Sequence, residues 1–374
     1  MFRFVHSSDL HLGKRFGNLP EDLRGRLREA RHEAIGRLAA KARAFEAGTI
    51  LLAGDTFDSE TPSPATLRQA LAAMAAEAPL RWVILPGNHD SLRADELWSA
   101  VRTALPDNVV LATEAAPLDL APGVVLMPAP CTTRRPGRDL TAWMDAAATP
   151  DGTIRLGLAH GAIRHFSEEG GGLDVVAPDR PKRAGLDYLA LGDWHGQLKV
   201  GPACWYSGTP EPDHFKHGAP GSALVVSLAG AGAVPEVNSV AVAGFEWRTL
   251  ALELGAGLAP EAMLAAELPD PAARRRVLLR VAASGRAHPQ ERAALGAALA
   301  AVGPEFAHTV LDTAALSMIC EPADLDTIDT AGALREAAER LLADSTDARL
   351  SPAETGIAAE ALARLFAYCG ERAA

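Results

Sequence analysis

The sequence predicts an α/β (α+β) fold in which two packed sheets flanked by helices precede a small βαβ unit and C-terminal helices. Three observations predict it. Apolar runs alternate with helical periodicity up to about residue 250, a Gly- and Pro-containing stretch follows at 255–262, and the chain after 326 has only helical periodicity. We therefore expect a first domain over 1–254, a small domain over 263–320 and a helical segment over 326–374.

The first domain is expected to contain most of the strands. Residues 21–47 have the spacing of an amphipathic helix, and a second helix begins at Pro64 with Ser63 as its N-cap. Short apolar runs predict the strands, which we expect at 2–6, 49–54, 81–87, 123–130, 153–161, 187–192, 222–228, 239–244 and 248–254.

The second part of the chain begins after an expected linker at 255–262. Strand-like runs at 277–285 and 308–314 enclose a helical stretch at 289–301, which predicts a βαβ unit. Residues 331–343 carry one apolar stripe. A last helix is expected to start at a capping box formed by Ser351 and Glu354, with Pro352 in its first turn.

Composition excludes several classes of protein. Apolar residues make up 48% of the 374 residues, which favours a globular chain over a disordered one. No run approaches the ~20 apolar residues of a membrane helix, and the amino terminus lacks a signal-peptide pattern. Four separated cysteines suit a reducing cytoplasm. The net charge of −11 counts against non-specific binding to nucleic acid.

Potential metal ligands follow five of the expected strands. Any one of these motifs alone is more often a simple turn, but five in succession are hard to explain in that way. Because sites assemble at the carboxyl ends of strands in layered α/β folds, we expect these side chains to meet. The residues are Asp9, His11, Asp55, Asn88, His89, Asp90, His160, Asp193 and His195.

The chemistry of this set indicates a two-metal centre. Carboxylate, imidazole and amide ligands without a thiolate suit Mn²⁺, Fe²⁺ or Zn²⁺. The candidates are too many for one ion that keeps an open position. Two ions roughly 3.5–4 Å apart can activate water and stabilise both oxygens of an in-line phosphoryl displacement.

The series SDLHLG, GDTFD, GNHD, AHG and GDWHG resembles the motifs of the calcineurin-like metallophosphoesterase superfamily. SDLHLGKRF at 8–16 and YSGTPEP at 206–212 are more particularly similar to SbcD-type nuclease subunits of double-strand-break repair. The resemblance covers about 1–245. It implies a two-sheet phosphoesterase sandwich, and, from order and size alone, a capping domain and a tail that binds an ATPase.

The resemblance also implies roles for individual residues. Asp9, His11 and His195 would hold the first metal ion and Asp55 would bridge. Asn88, His160 and Asp193 would hold the second ion, and His89 would contact the scissile phosphate and assist the leaving group. The family's usual last motif is Gly-His-x-His, so Asp193 stands at its first histidine position. We expect two divalent ions, Mn²⁺ ahead of Fe²⁺, Mg²⁺ or Zn²⁺.

Four residues beside the ligand-bearing loops are candidates for contact with substrate phosphate: Lys14, Arg15, Lys199 and Tyr206. Three functions remain open. The first is a DNA exonuclease or endonuclease acting with an SbcC-like coiled-coil ATPase, with a homodimer also open. The second is a phosphodiesterase or phosphatase for a small phosphate ester, which the net charge favours. The third is an inactive interaction subunit, which would predict broken ligands.

Overall fold

The computed structural model describes residues 1–163, 176–216, 220–255, 257–319, 325, 328 and 332–373. The chain forms two compact units, Met1–Glu246 and Trp247–Ala374. Each unit has its own hydrophobic core.

The first sheet of the first unit has six strands: β1 (Phe2–Ser7), β2 (Thr49–Leu52), β3 (Arg81–Ile84), β4 (Val109–Leu111), β11 (Ser222–Leu228) and β12 (Glu236–Ala241). Their spatial order is β12-β11-β1-β2-β3-β4. β1 to β4 pair in parallel through the helices α1 (Glu21–Ala44), α2 (Pro64–Ala75) and α3 (Asp95–Thr103). Ser63 caps α2 as expected, accepting the backbone N–H of Thr66 at 3.1 Å.

The second sheet also has six strands: β5 (Leu118–Ala121), β6 (Val124–Ala129), β7 (Ile154–His160), β8 (Tyr188–Gly192), β9 (Leu198–Gly201) and β10 (Cys204–Tyr206). Their spatial order is β5-β6-β7-β8-β10-β9, and β6, β7 and β8 pair in parallel. The short helix α4 (Arg180–Arg183) precedes β8.

Alternation along the strands builds the layers. Phe4 and Leu51 of the first sheet pack with Leu156 and Tyr188 of the second, whereas Val5 faces the helices on the other side. Successive side chains of a strand point to opposite faces, so one short apolar strand supplies both cores. The predicted α/β fold with two packed sheets is confirmed, and the parallel strands of each sheet deliver their carboxyl ends to the rim that carries the ligand candidates.

A buried histidine joins the two sheets beneath that rim. His6 on β1 donates from Nε2 to the Leu191 carbonyl of β8 at 3.1 Å and accepts the Tyr188 hydroxyl at Nδ1 at 3.0 Å. Burial lowers the pKa of His6 to about 3. His6 is therefore a neutral, hydrogen-bonded core residue.

The second unit contains a three-stranded sheet of β13 (Glu246–Leu254, in this unit from Trp247 onward), β14 (Val277–Ala287) and β15 (His308–Met318). Two helices accompany it, α5 (Pro260–Glu267) and α6 (Pro289–Val302). The β14–α6–β15 segment is the expected βαβ unit with parallel strands. Two details differ from expectation. The strand expected at 248–254 belongs to this sheet because Leu250, Leu252 and Leu254 pack into its core, and α5 begins within the stretch expected to be a linker.

The C-terminal helices are α7 (Ala333–Thr346) and α8 (Pro352–Ala373). Ser351 and Glu354 form the expected cap, in which the Ser351 N–H donates to Glu354 at 2.9 Å. The apolar stripes of the two helices meet around Ala338 and Leu362. Among the described residues, no helix combines the length and apolar character needed to span a membrane.

Candidate metal centre

The predicted ligand residues converge at the carboxyl ends of β1, β2, β3, β7 and β8. Asp9, His11, Asp55 and Asp193 all have left-handed backbone conformations, with φ values of 55°, 45°, 53° and 100°. This region is costly for residues other than glycine and is concentrated at functional sites. The turns are tied together across the sheet: the N–H of Asp9 donates to the Gly54 carbonyl at 3.1 Å, and that of His11 to the Asp55 carbonyl at 3.0 Å.

Two glycines allow the strand ends to approach this closely. A Cβ atom on Gly54 would lie 2.2 Å from His160 Nδ1, and one on Gly192 would lie 1.9 Å from the Ala53 carbonyl oxygen. Gly54 also has a φ of +90°. Any side chain at these two positions would push the His160-bearing strand away from its neighbours.

The first ligand set, a set of candidate ligands, comprises Asp9, His11 and His195. His11 Nε2 and His195 Nε2 face each other at 3.1 Å, and each lies 4.0 Å from Asp9 Oδ1. Asp9 is fully buried and His11 nearly so. Three donor atoms therefore point into one small volume.

The second ligand set, also a set of candidate ligands, comprises Asn88, His160 and Asp193. His160 Nε2 lies 3.7 Å from Asp193 Oδ1, and Asn88 Nδ2 donates to the same oxygen at 3.1 Å. Asp55 lies between the sets, because its Oδ2 is 3.7 Å from His11 Nε2 and 3.4 Å from His160 Nε2. The Asp193 side chain thus faces the centre, and its N–H donates to Asp9 Oδ2 at 3.2 Å.

Each imidazole of the two sets has an acceptor opposite its Nδ1. His160 Nδ1 donates to the Ala53 carbonyl at 2.8 Å. His11 Nδ1 lies 3.3 Å from Asp58 Oδ1, and His195 Nδ1 lies 3.5 Å from Asp213 Oδ1. When Nδ1 carries the proton, a neutral imidazole presents its Nε2 lone pair, which is the form that ligates a metal ion.

The electrostatics of the centre favour a cation. Burial lowers the pKa of His160, but the Asp55 carboxylate outweighs it, and the pKa is raised well above its usual value. Burial raises the pKa of Asp55, yet His160 and His11 bring it below the usual range. Burial raises the pKa of Asp193, and Asp9 and Asp55 raise it further. The carboxylates around His160 thus stabilise its protonated form, and the same negative charge would attract a metal ion.

The residues present fit two divalent ions. Ligand atoms about 2.0–2.2 Å from one ion lie roughly 3–3.5 Å from each other, and the closest donor pairs are 3.1 Å apart in the first set and 3.4 Å apart between His160 and Asp55. Asp9 and Asp55 form a second cluster with His160 alongside the first set. The side-chain oxygen of Asn88 and Nε2 of His160 are buried and have no hydrogen-bond partner among the residues that the structure describes. Metal coordination would satisfy both atoms.

His89 lies beside the centre, with its ring centroid 4.8 Å from that of His11. Its backbone N–H donates to Asp55 Oδ1 at 2.8 Å, and its Nδ1 donates to the Asp58 carbonyl at 3.0 Å. The next residue, Asp90, is buried and accepts the N–H groups of Gly87 and Phe57 at 2.6 and 3.0 Å. Asp90 therefore shapes the turn that presents Asn88 and His89.

The four candidates for phosphate contact have different surroundings. Lys14 Nζ lies 2.9 Å from Asp213 and 3.7 Å from Asp58. The Tyr206 hydroxyl donates to the Gly161 carbonyl at 2.8 Å, and Lys199 lies over the Trp205 ring at 5.1 Å. Arg15 is exposed.

Sequence reasoning missed Asp58 and Asp213. Asp58 was visible as the last residue of GDTFD, but its contact with His11 depends on how two loops fold together. Asp213 follows β10 in a stretch with no metal-ligand spacing, and nothing in the sequence connects it with Lys14 or His195.

The model of the calcineurin-like phosphoesterase family matches residues 2–197. This match covers more than half of the chain and all five ligand-bearing segments, so the chain belongs to this family of metal-dependent hydrolases.

Two curated relatives are similar over shorter stretches. The metallophosphoesterase YhaO of Bacillus subtilis (strain 168), itself described as uncharacterized, is 26% identical over 57% of this chain and 54% of its own length. The SbcD component of the SbcCD nuclease of Rhodobacter capsulatus is 34% identical over 29% of this chain and 26% of its own length. The chain thus spans about half of the first relative and a quarter of the second. Among solved structures, TT1561 of Thermus thermophilus aligns with 64% of this chain and 99% of its own, at 12% identity and a TM-score of 0.41.

Proposed function

We propose that this chain is a two-metal phosphodiesterase that cleaves DNA, as an SbcD-type nuclease subunit working with a coiled-coil ATPase. The observation that carries the phosphodiesterase part is the pair of ligand sets around Asp55, with His89 beside them. Divalent ions at such a centre supply Lewis acidity toward a phosphoryl group.

His89 is the group proposed to act on the leaving oxygen. Because Nδ1 donates to the Asp58 carbonyl, Nε2 is directed elsewhere, and the ring is partly exposed. The backbone hydrogen bond to Asp55 fixes His89 relative to the ligands. A protonated Nε2 can stabilise or protonate an oxygen leaving the phosphorus atom, an effect typically worth ~10²–10⁴-fold in rate.

The loop after β6 supports a polymeric substrate. Arg134, Arg135 and Arg138 are exposed on it, and within the described residues none has a hydrogen-bond or ion-pair partner. The loop starts beside the centre, since Cys131 N–H donates to the Pro86 carbonyl at 3.0 Å and its carbonyl accepts the N–H of Leu92 at 2.8 Å. A local positive loop at the rim of an acidic protein suits a phosphodiester backbone that extends past the cleaved bond.

The second candidate is a phosphodiesterase for a small phosphate ester. The net charge of −11 favours it, because long-range repulsion disfavours a polyanion. The two candidates differ in what the arginine loop should do, since a small ester would end before reaching it.

The test combines end-labelled single- and double-stranded DNA with a panel of small phosphodiesters, assayed with Mn²⁺. We expect cleavage of DNA that falls as salt rises, together with slower hydrolysis of the small esters. Hydrolysis of the small esters alone would overturn the nuclease assignment. No hydrolysis of either, by protein that binds two ions, would overturn the phosphodiesterase assignment.

A charge variant with a matched control separates the two candidates further. Arg134→Gln/Arg135→Gln should weaken DNA binding and flatten its salt dependence, with small-ester turnover unchanged. Lys41→Gln/Arg102→Gln removes the same charge from the last turns of α1 and α3, near the amino ends of the strands. Equal effects of both variants on DNA would contradict a role for the loop.

The partner proposal depends on α8. Ile357 and Tyr368 are 69% and 67% exposed and lie three turns apart on one helix face. The apolar stripe of α8 already packs against α7. A docking surface on α8 would therefore be the outer face that carries Ile357 and Tyr368. Ile357→Asp/Tyr368→Asp should abolish association with the proposed coiled-coil ATPase partner, measured by sedimentation, with metal content unchanged. Retained association would contradict this surface.

A further inference from the structure

Asp213 is a buried carboxylate surrounded by cationic and imidazole groups. Its side chain is 2% exposed and lies 2.9 Å from Lys14 Nζ and 3.2 Å from Arg31 Nη2. His195 Nδ1 and His214 Nε2 each lie 3.5 Å from its Oδ1. A charge with so little access to water is retained only when its surroundings balance it.

We propose that Asp213 is a positioning residue for His195, and that Lys14 connects it to Asp58, the carboxylate behind His11. The two imidazoles of the first ligand set would then be held from outside by one Asp–Lys–Asp arrangement. This inference rests on the proposed metal-dependent function, and its test is chosen to be separable from that function.

The imidazoles of His11 and His195 have matching surroundings. Nδ1 of each ring faces a carboxylate oxygen, at 3.3 Å for His11 and 3.5 Å for His195, and Nε2 of each faces the other ring at 3.1 Å. These Nδ1 distances exceed those of short hydrogen bonds but are within ion-pair range. An acceptor behind Nδ1 selects the tautomer and ring orientation that present Nε2, and it raises the basicity of the ligand.

Lys14 connects the two carboxylates that lie behind these imidazoles. Its ammonium lies between Asp213 and Asp58, at 2.9 and 3.7 Å, and its side chain is 29% exposed. An ammonium held by two carboxylates is already neutralised, which reduces what it offers to a phosphate. Lys14 therefore fits a role in fixing the two carboxylates better than the direct phosphate contact suggested by its place in HLGKR.

Arg31 explains how Asp213 remains charged in the interior. Its guanidinium is fully buried, donates to the Leu10 carbonyl at 2.6 Å and pairs with Asp213. Leu10 lies between the ligands Asp9 and His11, so the same arginine connects that ligand turn to Asp213.

A cation bound among His195, Asp213 and His214 is the competing explanation, because their donor atoms lie within 4.8 Å of one another. Two observations argue against it. Lys14 and Arg31 already balance Asp213. His214 Nδ1 accepts the Lys216 N–H at 3.2 Å, which leaves Nε2 protonated and facing Asp213 as a donor.

The test measures binding of Mn²⁺ alone to the full chain, by calorimetry and elemental analysis, with no substrate present. Asp213→Asn should lower the affinity for one of two Mn²⁺ ions by about 10–100-fold and leave the affinity for the other unchanged. Loss of other partners of metal-binding histidines has an effect of this size. Unchanged affinity for both ions would overturn the proposal. Three bound ions in the unaltered chain, falling to two in Asp213→Asn, would instead indicate a cation at Asp213.

Glu211 offers a matched control two residues away. It is also buried, pairs with Arg37 at 2.6 Å and accepts the Gly244 and Phe245 N–H groups at 2.7 and 2.8 Å, but its hydrogen-bond and ion-pair partners among the described residues include no imidazole. Glu211→Gln should change the melting temperature without changing Mn²⁺ affinity. An equal loss of Mn²⁺ affinity in Asp213→Asn and Glu211→Gln would mean that Asp213 has only a structural role.

Lys14→Met tests the connection and remains informative if Asp213→Asn does not fold. It should lower Mn²⁺ affinity at the first site several-fold, and Asp58→Asn should act in the same direction. A raised KM for substrate with unchanged Mn²⁺ affinity in Lys14→Met would make Lys14 a phosphate contact and overturn the connection. If no phosphodiester is hydrolysed but these Mn²⁺ effects appear, the proposed function fails while the positioning role stands.

Discussion

In the first ligand set, two imidazoles are backed by carboxylates; in the second, a single imidazole is backed by a backbone carbonyl. The first set is deeply buried at Asp9 and His11, whereas the Asp193 side chain of the second is 31% exposed. The first set offers two nitrogens and one carboxylate. The second offers one nitrogen together with amide and carboxylate oxygens.

We therefore expect the two sites to bind metal ions with different affinity and preference. Anionic partners behind His11 and His195 increase ligand basicity and hold both rings in one orientation. An oxygen-rich, partly exposed second set favours harder ions and faster exchange. Asp55 lies between the two sets, so a change in one set would reach the other through this residue.

Replacing Asp55, the carboxylate between the two sets, should have the largest effect, because both sets would lose a candidate ligand. Asp55→Asn is expected to lose most of both ions and to hydrolyse no chromogenic phosphodiester above background. Elemental analysis and a bis(p-nitrophenyl) phosphate assay check this. Full activity in the variant, or in wild type with excess chelator, would contradict the two-metal assignment.

A change beside the two sets should lower the rate without altering either. His89→Ala is expected to keep both ions and to lose ~10²–10⁴-fold in turnover, the usual size of a general-acid contribution. The same preparation serves for metal analysis and kinetics. Loss of an ion along with the rate would instead make His89 a metal ligand.

Asp193 allows the second set to be changed alone. Asp193→His introduces the family's usual ligand and a neutral donor, so both ions should stay, Zn²⁺ should be better tolerated, and the rate-versus-pH profile should move to lower pH. Asp193→Ala should weaken one ion by about tenfold or more, roughly 1.4 kcal/mol. If neither variant alters stoichiometry, metal preference or pH profile, Asp193 is not a ligand.

The effect furthest from the ligand sets concerns His6, which joins β1, the strand before Asp9, to β8, the strand before Asp193. Its pKa is about 3 in the folded chain against 6.5 as the ordinary value, so its contribution is complete above pH 6.5 and is lost as the pH falls toward 3. Lowering the pH from 7 to 5 should cost about 2 kcal/mol of unfolding free energy through this group.

Urea unfolding of wild type and His6→Gln, both with chelator present, measures that contribution. Glutamine can still hydrogen-bond but does not titrate, so its stability should fall less over this pH range. Identical pH dependence of the two proteins would mean that His6 does not carry the effect.

Much of the first unit and most of the candidate ligands were predictable because each depends on a local pattern. An apolar run followed directly by Asp, His or Asn predicts both a strand and a ligand at its end, as at Asp55 and His160. The capping residues Ser63 and Ser351 were visible for the same reason, since a cap involves residues only three apart. By contrast, β13 was expected with the wrong neighbours, because alternation shows that a strand is half-buried but not which sheet it joins.

The sequence by itself determined which kinds of atoms reach the rim, because carboxylate, imidazole and amide side chains directly follow the apolar runs that form the strands. Only the tertiary structure decided what lies behind them. The contacts of Asp213 with Lys14, Arg31 and His195 join three segments that are distant along the chain, and His6 meets Tyr188 across two sheets. Such contacts depend on distances between elements, and those are set when the layers pack and exclude water.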